Sequence, residues 1–332
     1  MKLLVNSPYL FSSANIEAAR AVVPGLEVSV VPYTSDPDTL DGGDVDALVT
    51  ELVPKKLAEW PRLRWIQLLS AGANQLRAHP VMTTSIPVTT ASGTHGIPIA
   101  QYITCAALML AHRIPQLLEF KPSRTWPNRV SLASFMLRGR TVGILGYGSI
   151  GRESARQLAA LGMRILCYKR DPDAHLDSGY NAWPGTGDPE GTLPAAWFGP
   201  GQLQEMLPQC DLIVVTVPST TSTESLIGAR ELSLLKPTAQ LIHISRGGVV
   251  DETALAEALR SGCLAGAVVD CFVKEPTPYH PFFDVPNLIM TPHMSGVYDA
   301  FWPAFNSLLG ENLRRFAAGQ KLANEVNRSE GY

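Results

Sequence analysis

The sequence lacks the features of membrane-embedded and disulfide-rich proteins. It contains no run of about 18 apolar residues, the length that a membrane-spanning helix needs. Its five cysteines are scattered and include no CxxC pair, which argues against disulfides and a metal centre. We expect free, mostly buried thiols in a reducing compartment, and therefore a cytoplasmic protein. The apolar start, MKLLVNSPYLFSS, is too short for a signal peptide, is interrupted at Asn6, and is read as a first strand.

The sequence also has little net charge. The formal charge is −3 over 332 residues, so there is no general excess of positive charge to bind nucleic acid or an anionic membrane. We expect neither as a partner. Hydrophobic residues make up 45% and charged residues 17%, which is typical of a soluble globular enzyme, and the length favours about two domains.

The first part of the chain predicts a small α/β domain. Residues 1–98 contain five strand-like runs that alternate with predicted helices: KLLVN, LEVSVVPY, DALVT, RWIQLLS and PVTTAS. A long helix is predicted from Pro98 through His112, and it leads into an irregular arm over residues 121–140.

The second part predicts a parallel sheet that is covered on both faces. From Thr141 onward, the apolar strands TVGILG, MRILCY, DLIVVTV, AQLIHIS, AGAVVD and NLIMT alternate with helices. A last helix is predicted from about Tyr298 to Ala318, and we expect the tail after it to fold back on the first domain. The segment 171–200 is rich in Gly, Pro and Trp and is interpreted as a long loop near the adenosine end of a bound cofactor.

The segment from Thr141 to Tyr168 predicts a dinucleotide-binding turn. It reads as a strand, the GYGSIG turn, a helix that starts near Ser149, and a second strand. In such a turn Gly146 makes the tight bend, Gly148 lets the pyrophosphate approach, and Gly151 lets the helix pack against the strand. The pyrophosphate would lie on the free N–H groups at the start of the helix. An ordinary strand-to-helix turn is less consistent with this context.

Four polar residues follow strands of the predicted sheet. Arg246 follows AQLIHIS, Asp270 ends AGAVVD with Glu275 shortly after it, and His293 follows NLIMT. Because open α/β sheets bind ligands at the carboxyl ends of their strands, we interpret these residues as one catalytic set. His293 would exchange a proton with a carbonyl oxygen, Glu275 would orient it, and Arg246 would bind a carboxylate. Taken singly, each could be a structural residue or half of an ion pair.

Together these motifs resemble those of the D-isomer-specific 2-hydroxyacid dehydrogenases, and the resemblance covers nearly the whole chain. The motifs that carry it are GYGSIG, DLIVVTVPSTTSTESLIG, ISRGGVVDETALAEAL, VVDCFVKEPTP and TPHMSG. The resemblance implies an α/β fold of two domains. A Rossmann doubly wound parallel sheet spans residues 99–295, and a smaller flavodoxin-like substrate domain is split between residues 1–98 and 296–332.

The resemblance also implies site residues and an assembly. It assigns Arg246, Glu275 and His293 to catalysis. It also implies that Arg246 and His293 contact the substrate. It implies that the N–H groups of Ala71 and Gly72 bind the substrate carboxylate. It implies a homodimer, with Trp126 near the subunit interface unless that ring packs only locally. The residues that it implies for cofactor binding are Gly146, Gly148, Ser149, Ile150, Gly151, Lys169, Arg170, Pro218, Thr223, Asp270 and Ser295.

The chain departs from the family pattern where cofactor choice is made. Many NAD-dependent members have an acidic residue just after the second strand, and this chain has Lys169 and Arg170. Two cations would attract a 2′-phosphate, so we predict NADP as the cofactor. Asp171 leaves NAD possible through a shift of one or two residues. Gln101 stands where many members have glutamate, and little effect on chemistry is expected from it.

The motifs therefore predict a reductase of a small 2-keto acid, with glyoxylate or hydroxypyruvate as leading substrates. Glu275 argues against the formate dehydrogenase branch, which uses glutamine there. Two alternatives stay open: a cofactor-sensing binding protein like the C-terminal-binding corepressors, and the same chemistry on a bulkier 2-keto acid.

Overall fold

The computed structural model describes residues 1–275 and 278–331, which form two compact units. Residues 276–277, inside the VVDCFVKEPTP motif, and residue 332 lie outside the described residues. The first unit comprises Met1–His95, Gly179–Pro184 and Tyr298–Tyr332, and the second comprises Gly96–Ser178 and Gly185–Val297. The predicted division at 98/99 and 295/296 lies near two of these limits, but it did not assign residues 179–184 to the first unit.

The predicted α/β class with two parallel sheets is confirmed. The first unit has a five-stranded sheet in the order β2-β1-β3-β4-β5, and the second has a seven-stranded sheet in the order β12-β11-β10-β9-β6-β7-β8. The strands are β1 Lys2–Asn6, β2 Glu27–Val31, β3 Ala47–Thr50, β4 Trp65–Leu68, β5 Val88–Thr89, β6 Thr141–Leu145, β7 Arg164–Tyr168, β8 Pro194–Phe198, β9 Leu212–Val215, β10 Gln240–His243, β11 Gly266–Val269 and β12 Leu288–Met290.

Helices connect these strands and cover the sheets. The longest are α2, close to its predicted bounds, and α9 near the carboxyl end. In full they are α1 Ser13–Val22, α2 Gly96–Ala111, α3 Ile114–Leu118, α4 Phe120–Ser123, α5 Ser149–Ala160, α6 Leu203–Met206, α7 Ala229–Ser233, α8 Glu252–Arg260 and α9 Phe301–Ala317.

The central strands of the larger sheet are apolar because both of their faces are buried. All residues of β6, β9, β10 and β11 are buried, and separate apolar clusters lie on the two faces of the sheet. Strands of this kind are continuous runs of Val, Ile and Leu rather than alternating patterns. All the pairings are parallel, so the carboxyl ends of these strands lie at one edge.

In the smaller sheet, the helices expected between strands are mostly short 3₁₀ turns. After α1, the connections carry only the 3₁₀ segments Pro37–Thr39, Leu57–Glu59, Asn74–Leu76 and Pro80–Thr83. Prolines at the first position of two of these segments fix φ for such a turn.

The segment 171–200 is not wholly a loop, contrary to the prediction. Pro194–Phe198 forms β8, the edge strand beside β7, with an irregular register between Ile165 and Leu166. Proline is tolerated at the first residue of an edge strand, where no ladder partner needs its missing N–H. The rest of this segment, residues 171–193, is called the insertion below.

The carboxyl-terminal tail folds back on the first unit, as expected. Val326 N donates to Val88 O at 2.8 Å, and the Arg328 guanidinium donates to the carbonyls of Val81 and Ile86. The buried Asn312 of α9 donates to Gln67 Oε1 at 3.0 Å. These bonds attach both the last helix and the tail to the five-stranded sheet.

The thiols are free, but the expectation of burial holds for three of the five. Cys167, Cys210 and Cys271 are buried, whereas Cys105 and Cys263 are exposed. In residues 1–275 and 278–331, no cluster of His, Cys, Asp and Glu could hold a metal ion. No single helix of this part is long and apolar enough to cross a membrane, although α2 and the segment Ile114–Ser123, which is bent by 66° from it, reach that length and composition together.

Candidate cofactor and active site

The GYGSIG turn has the geometry that its glycines predict. Gly146 follows β6 with a φ of 99°, a left-handed conformation that favours glycine. A Cβ on Gly151 would lie 2.0 Å from the Gly146 carbonyl oxygen, so only glycine lets α5 approach the turn this closely. At Gly148 a Cβ would meet no atom within 4 Å. The backbone at Gly148 is therefore open to a ligand.

The start of α5 has free hydrogen-bond donors for an anion. Gly148 is its N-cap and provides no side-chain cap, so the N–H groups of Ser149, Ile150 and Gly151 have no intrahelical acceptor. The helix spans Ser149–Ala160 and its dipole favours a negative charge at this end. These residues fit the pyrophosphate of a dinucleotide, which is the group that the sequence implies.

The two cations after β7 differ in their surroundings. The Lys169 ammonium donates to the Ala174 carbonyl and lies 5.7 Å from the centroid of the Trp197 ring. Burial lowers the pKa of Lys169, and the nearby Arg152 guanidinium lowers it further. Arg170 is exposed. Asp171 uses its Oδ1 to accept from Asp173 N at 3.2 Å within a local turn.

The loop after β9 is held by its own threonines. Thr223 Oγ1 donates to Pro218 O at 2.6 Å and accepts from Thr220 N at 2.8 Å. The Thr223 hydroxyl therefore shapes the loop that carries Pro218, whereas the sequence treated it as a direct cofactor contact.

Arg246 lies directly beyond β10 in a half-buried position. Its Nη1 donates to Ser245 O at 2.7 Å, and burial lowers the pKa of its guanidinium. A Cβ on Gly247 would lie 2.0 Å from the Phe272 carbonyl oxygen, so a larger residue cannot follow Arg246 here. The loop position of Arg246 therefore depends on close packing against the segment after β11.

Asp270 is fully buried and holds the turn that carries His293. Its Oδ1 accepts from Thr291 Oγ1 at 2.5 Å and from Met294 N at 2.8 Å, and its Oδ2 accepts from Ser295 N at 2.9 Å. One carboxylate thus fixes residues on both sides of His293. Since Ser295 N is used in this clamp, the predicted cofactor contacts at Asp270 and Ser295 also have a structural role.

His293 itself has an unusual backbone conformation. Its φ is 56°, in the left-handed region that few residues other than glycine adopt, and its N donates to Thr291 O at 3.0 Å. Such strain persists only where surrounding contacts impose it, here the Asp270 clamp, and it is most common at functional sites. The imidazole is exposed.

Glu275 is also exposed, and it follows the strand that pairs with β12. In the described parts of the chain, Glu275 and His293 form no ion pair with each other. Their predicted contact is therefore not formed in this structure, although both residues follow neighbouring strands at one edge of the sheet.

The predicted carboxylate-binding residues lie in the first unit, in the loop after β4. Ser70 Oγ donates to Gly72 O at 2.7 Å, and Ala91 N donates to Ser70 O at 2.8 Å, so the loop is held on two sides. Within residues 1–275 and 278–331, no acceptor is hydrogen-bonded to the N–H groups of Ala71 and Gly72. Two half-buried backbone donors of this kind suit a carboxylate.

Sequence reasoning missed two supporting residues. Tyr102 of α2 bonds to Thr291 Oγ1 at 2.5 Å and so extends the Asp270 clamp, and burial raises its pKa to about 12. His243, the last residue of β10, is only 2% exposed and forms a hydrogen bond with the backbone of Arg246. The sequence indicated a possible role only for His243, through its position at the end of a strand, and gave no such indication for Tyr102.

Comparisons with known proteins agree with this geometry. A family model described as "D-isomer specific 2-hydroxyacid dehydrogenase, NAD binding domain" matches residues 104–295. The glyoxylate reductase of Thermococcus gammatolerans is 33% identical over 297 residues, which cover 86% of this chain and 84% of that protein. The (S)-sulfolactate dehydrogenase of Chromohalobacter salexigens is 31% identical over 283 residues, with 82% and 85% covered.

A solved structure covers the whole chain. The D-isomer specific 2-hydroxyacid dehydrogenase from Xanthobacter autotrophicus Py2, in complex with NADPH and MES, has a TM-score of 0.82 and 27% identity. It covers 100% of this chain and 99% of its own.

Proposed function

The chain belongs to the D-isomer-specific 2-hydroxyacid dehydrogenase family, and from this premise we propose that it reduces a small 2-keto acid with NADPH. Membership makes it an oxidoreductase that transfers a hydride between a nicotinamide cofactor and a 2-hydroxy or 2-keto acid. The more specific proposal has glyoxylate or hydroxypyruvate as its leading substrates. It is supported by the glyoxylate reductases among the relatives.

One observation carries the assignment of the site. The neighbouring strands β10, β11 and β12 end at one edge of a parallel sheet, and they bring Arg246, the Asp270 clamp and His293 there. The open turn at Gly148 belongs to the same sheet. Open α/β sheets bind their ligands at this edge.

The chain's own groups would each take one task in the reaction. The bound nicotinamide cofactor supplies the hydride. His293 gives a proton to the substrate oxygen during reduction and takes it back in the reverse direction. In the reaction, Glu275 would orient the imidazole through a contact that this structure does not contain. Arg246 binds the substrate carboxylate and keto oxygen through its planar fork. The family resemblance assigns the N–H groups of Ala71 and Gly72 to a substrate carboxylate, which their half-buried backbone donors suit.

The preference for NADPH rests on the residues after β7. Arg170 is exposed, whereas Lys169 is half-buried, and this greater exposure favours Arg170 as the residue that meets a 2′-phosphate. Asp171 is a poor candidate for a ribose contact because it caps its own turn. The NADPH complex of the Xanthobacter protein is consistent with this choice.

We also propose a cytoplasmic homodimer. Exposed apolar side chains are concentrated in one stretch of the second unit, which includes α3, α4 and the arm. They are Leu117, Leu118, Phe120, Trp126, Val130 and Met136. A large exposed apolar patch marks an interaction surface, and a second copy of the chain is the partner that the family resemblance implies.

Steady-state kinetics with glyoxylate and hydroxypyruvate test the proposed function. We expect turnover with kcat/KM higher for NADPH than for NADH, and a fall in that ratio for Arg170→Gln. His293→Gln should lower kcat by roughly a hundredfold or more while cofactor affinity stays near wild type, because only proton transfer is lost. A ratio well below one overturns the NADPH preference. Binding of cofactor without turnover of any 2-keto acid favours a cofactor-sensing protein instead.

A further inference from the structure

We propose that Asp188 is a cofactor-positioning residue: through Tyr147, its carboxylate holds the GYGSIG turn in the shape that receives the pyrophosphate of the dinucleotide. The insertion, residues 171–193, would then help to set the affinity for the cofactor. This inference rests on the proposed function only in requiring that the turn bind a nicotinamide dinucleotide.

Tyr147 connects the turn to the insertion. It lies between Gly146 and Gly148 and is only 4% exposed. Its hydroxyl donates to Asp188 Oδ2 at 2.7 Å, and its ring meets the Trp197 ring edge-on, with centroids 5.1 Å apart. The side chain of a turn residue is therefore directed into the protein, while a Cβ on the next residue, Gly148, would meet no atom within 4 Å.

Asp188 is a fixed anchor rather than a mobile surface carboxylate. It is 5% exposed, and its Oδ1 accepts from Thr192 N at 2.9 Å and from Thr192 Oγ1 at 3.2 Å. Its Oδ2 accepts from Leu193 N at 3.1 Å as well as from Tyr147. Burial acts to raise the pKa of Asp188, but the hydrogen bonds from Tyr147, Leu193 and Thr192 outweigh it and lower the pKa. The carboxylate is therefore ionised and its acceptor sites are occupied.

Arg152 fastens the same segment to α5, one turn beyond the open glycine. Its N donates to Gly148 O at 2.9 Å, and its side chain is 2% exposed. The guanidinium donates to the carbonyls of Asp188 and His175, and it lies 4.9 Å from the centroid of the Tyr147 ring. This buried cation is thus directed at the insertion. The insertion holds the turn at Tyr147 and the helix at Arg152.

The physical consequence concerns preorganisation. A turn that binds an anion through backbone N–H groups loses affinity if those groups must first be ordered. The pyrophosphate is common to NADPH and NADH, so loss of the Asp188 anchor should weaken both cofactors by the same factor. Loss of Arg170, by contrast, should weaken NADPH alone. The two kinds of residue can therefore be distinguished by measurement.

Dissociation constants for NADPH and NADH, measured by calorimetry on the full chain, test the proposal. We expect Tyr147→Phe and Asp188→Asn each to weaken both cofactors roughly tenfold, with the NADPH/NADH ratio unchanged. At saturating cofactor, kcat should stay within about twofold of wild type, because no catalytic group is altered. Tyr180→Phe is the matched control. It removes a hydroxyl of the same insertion, one that bonds to Ser307 Oγ at 2.7 Å and not to the GYGSIG turn in the described part of the chain, and it should leave both constants unchanged.

Several outcomes would overturn the inference. If a folded Tyr147→Phe protein binds both cofactors with affinities near wild type, the bond to Asp188 only stabilises the fold. A variant whose melting temperature falls while its cofactor affinities do not change leads to the same conclusion. Tyr147→Phe decides the matter if Asp188→Asn does not fold. A change in the NADPH/NADH ratio would make Asp188 a specificity residue instead. If the wild-type protein binds neither cofactor, the proposed function fails together with this inference.

Discussion

Single buried polar residues determine the local geometry of the site. Asp270 was predicted as a contact to the nicotinamide, and the structure adds that its two oxygens hold the turn around His293. The sequence could place Asp270 at a strand end. It could not reveal the clamp, because that bond set depends on the left-handed backbone at His293.

His243 is a second buried residue whose environment has a measurable consequence. Burial lowers its pKa to about 4, and within the described residues its Nε2 has no hydrogen-bond partner. In the folded protein the imidazole of His243 is therefore neutral down to about pH 4. In the unfolded chain the same imidazole takes up a proton near the ordinary histidine pKa of 6.5. The contribution of His243 to stability is complete above pH 6.5 and is lost as the pH falls from 6.5 to about 4.

We predict that protonation of His243 in the unfolded chain lowers the free energy of unfolding by about 3 kcal/mol between pH 6.5 and about pH 4. This value follows from the difference between its two pKa values, at about 1.4 kcal/mol per pKa unit. His243→Asn should make the free energy less dependent on pH across that window, whatever its effect on absolute stability. Chemical denaturation at a series of pH values measures it. The exposed His112→Gln is the control, and an unchanged slope in His243→Asn would contradict the prediction.

At the scale of elements, the strand–turn–helix unit β6–α5 shows two different needs for glycine. Gly151 is required by packing inside the protein, because its Cβ would lie 2.0 Å from a carbonyl oxygen. A Cβ on Gly148 would meet no such obstacle, so packing does not require glycine there, and we propose that the approach of the cofactor does. From the spacing of the glycines, the sequence predicted the close packing that the structure shows at Gly151, and the role of Gly148 in cofactor binding stays a prediction.

Paired substitutions separate the two roles. We expect Gly151→Ala to lower the free energy of unfolding by about 1–3 kcal/mol and also to weaken the cofactor, since overpacking moves the helix. Gly148→Ala should leave stability near wild type and weaken only the cofactor. Thermal denaturation and cofactor titration of both proteins provide the measurements. Equal stability losses in the two variants would show that Gly148 is also a packing residue.

The insertion is the element that sequence reasoning described least well. Its composition predicted a loop, yet the chain continues into β8, and its buried Asp188 bonds to a residue 41 positions earlier. Gly and Pro indicate turns reliably because their effect is local. A contact between Tyr147 and Asp188 is not local, and nothing in the spacing of the two residues indicates it.

At the scale of the whole molecule, the exposed apolar arm is the main feature that a single chain leaves unexplained. Trp126 is 72% exposed and touches Phe120 edge-on, with centroids 5.2 Å apart. Local packing therefore accounts for only part of the ring. The proposed homodimer would cover the rest.

We expect light scattering to give a molar mass about twice 35.9 kDa for the wild-type protein. Trp126→Glu should shift the protein toward the monomer, because a charge in an apolar interface is costly to desolvate. Leu176→Glu is a matched control, since Leu176 is 73% exposed but lies in the insertion. A monomeric wild-type protein, or equal effects of the two variants, would contradict the proposal.

The sequence alone determined the α/β class, most strands, the glycine turn, and which polar residues follow which strands. These features depend on the order of neighbouring residues: apolar runs, turn formers and helix starts act over a few positions. Only the tertiary structure decided that Asp270 clamps the His293 turn, that Lys169 is held by Ala174 rather than left free, and that the insertion anchors Tyr147. The Asp270 and Tyr147 contacts join residues 24 and 41 positions apart, and their free energy arises from burial that exists only once the sheet has formed. The Lys169 contact spans only five positions, but no sequence motif indicates it.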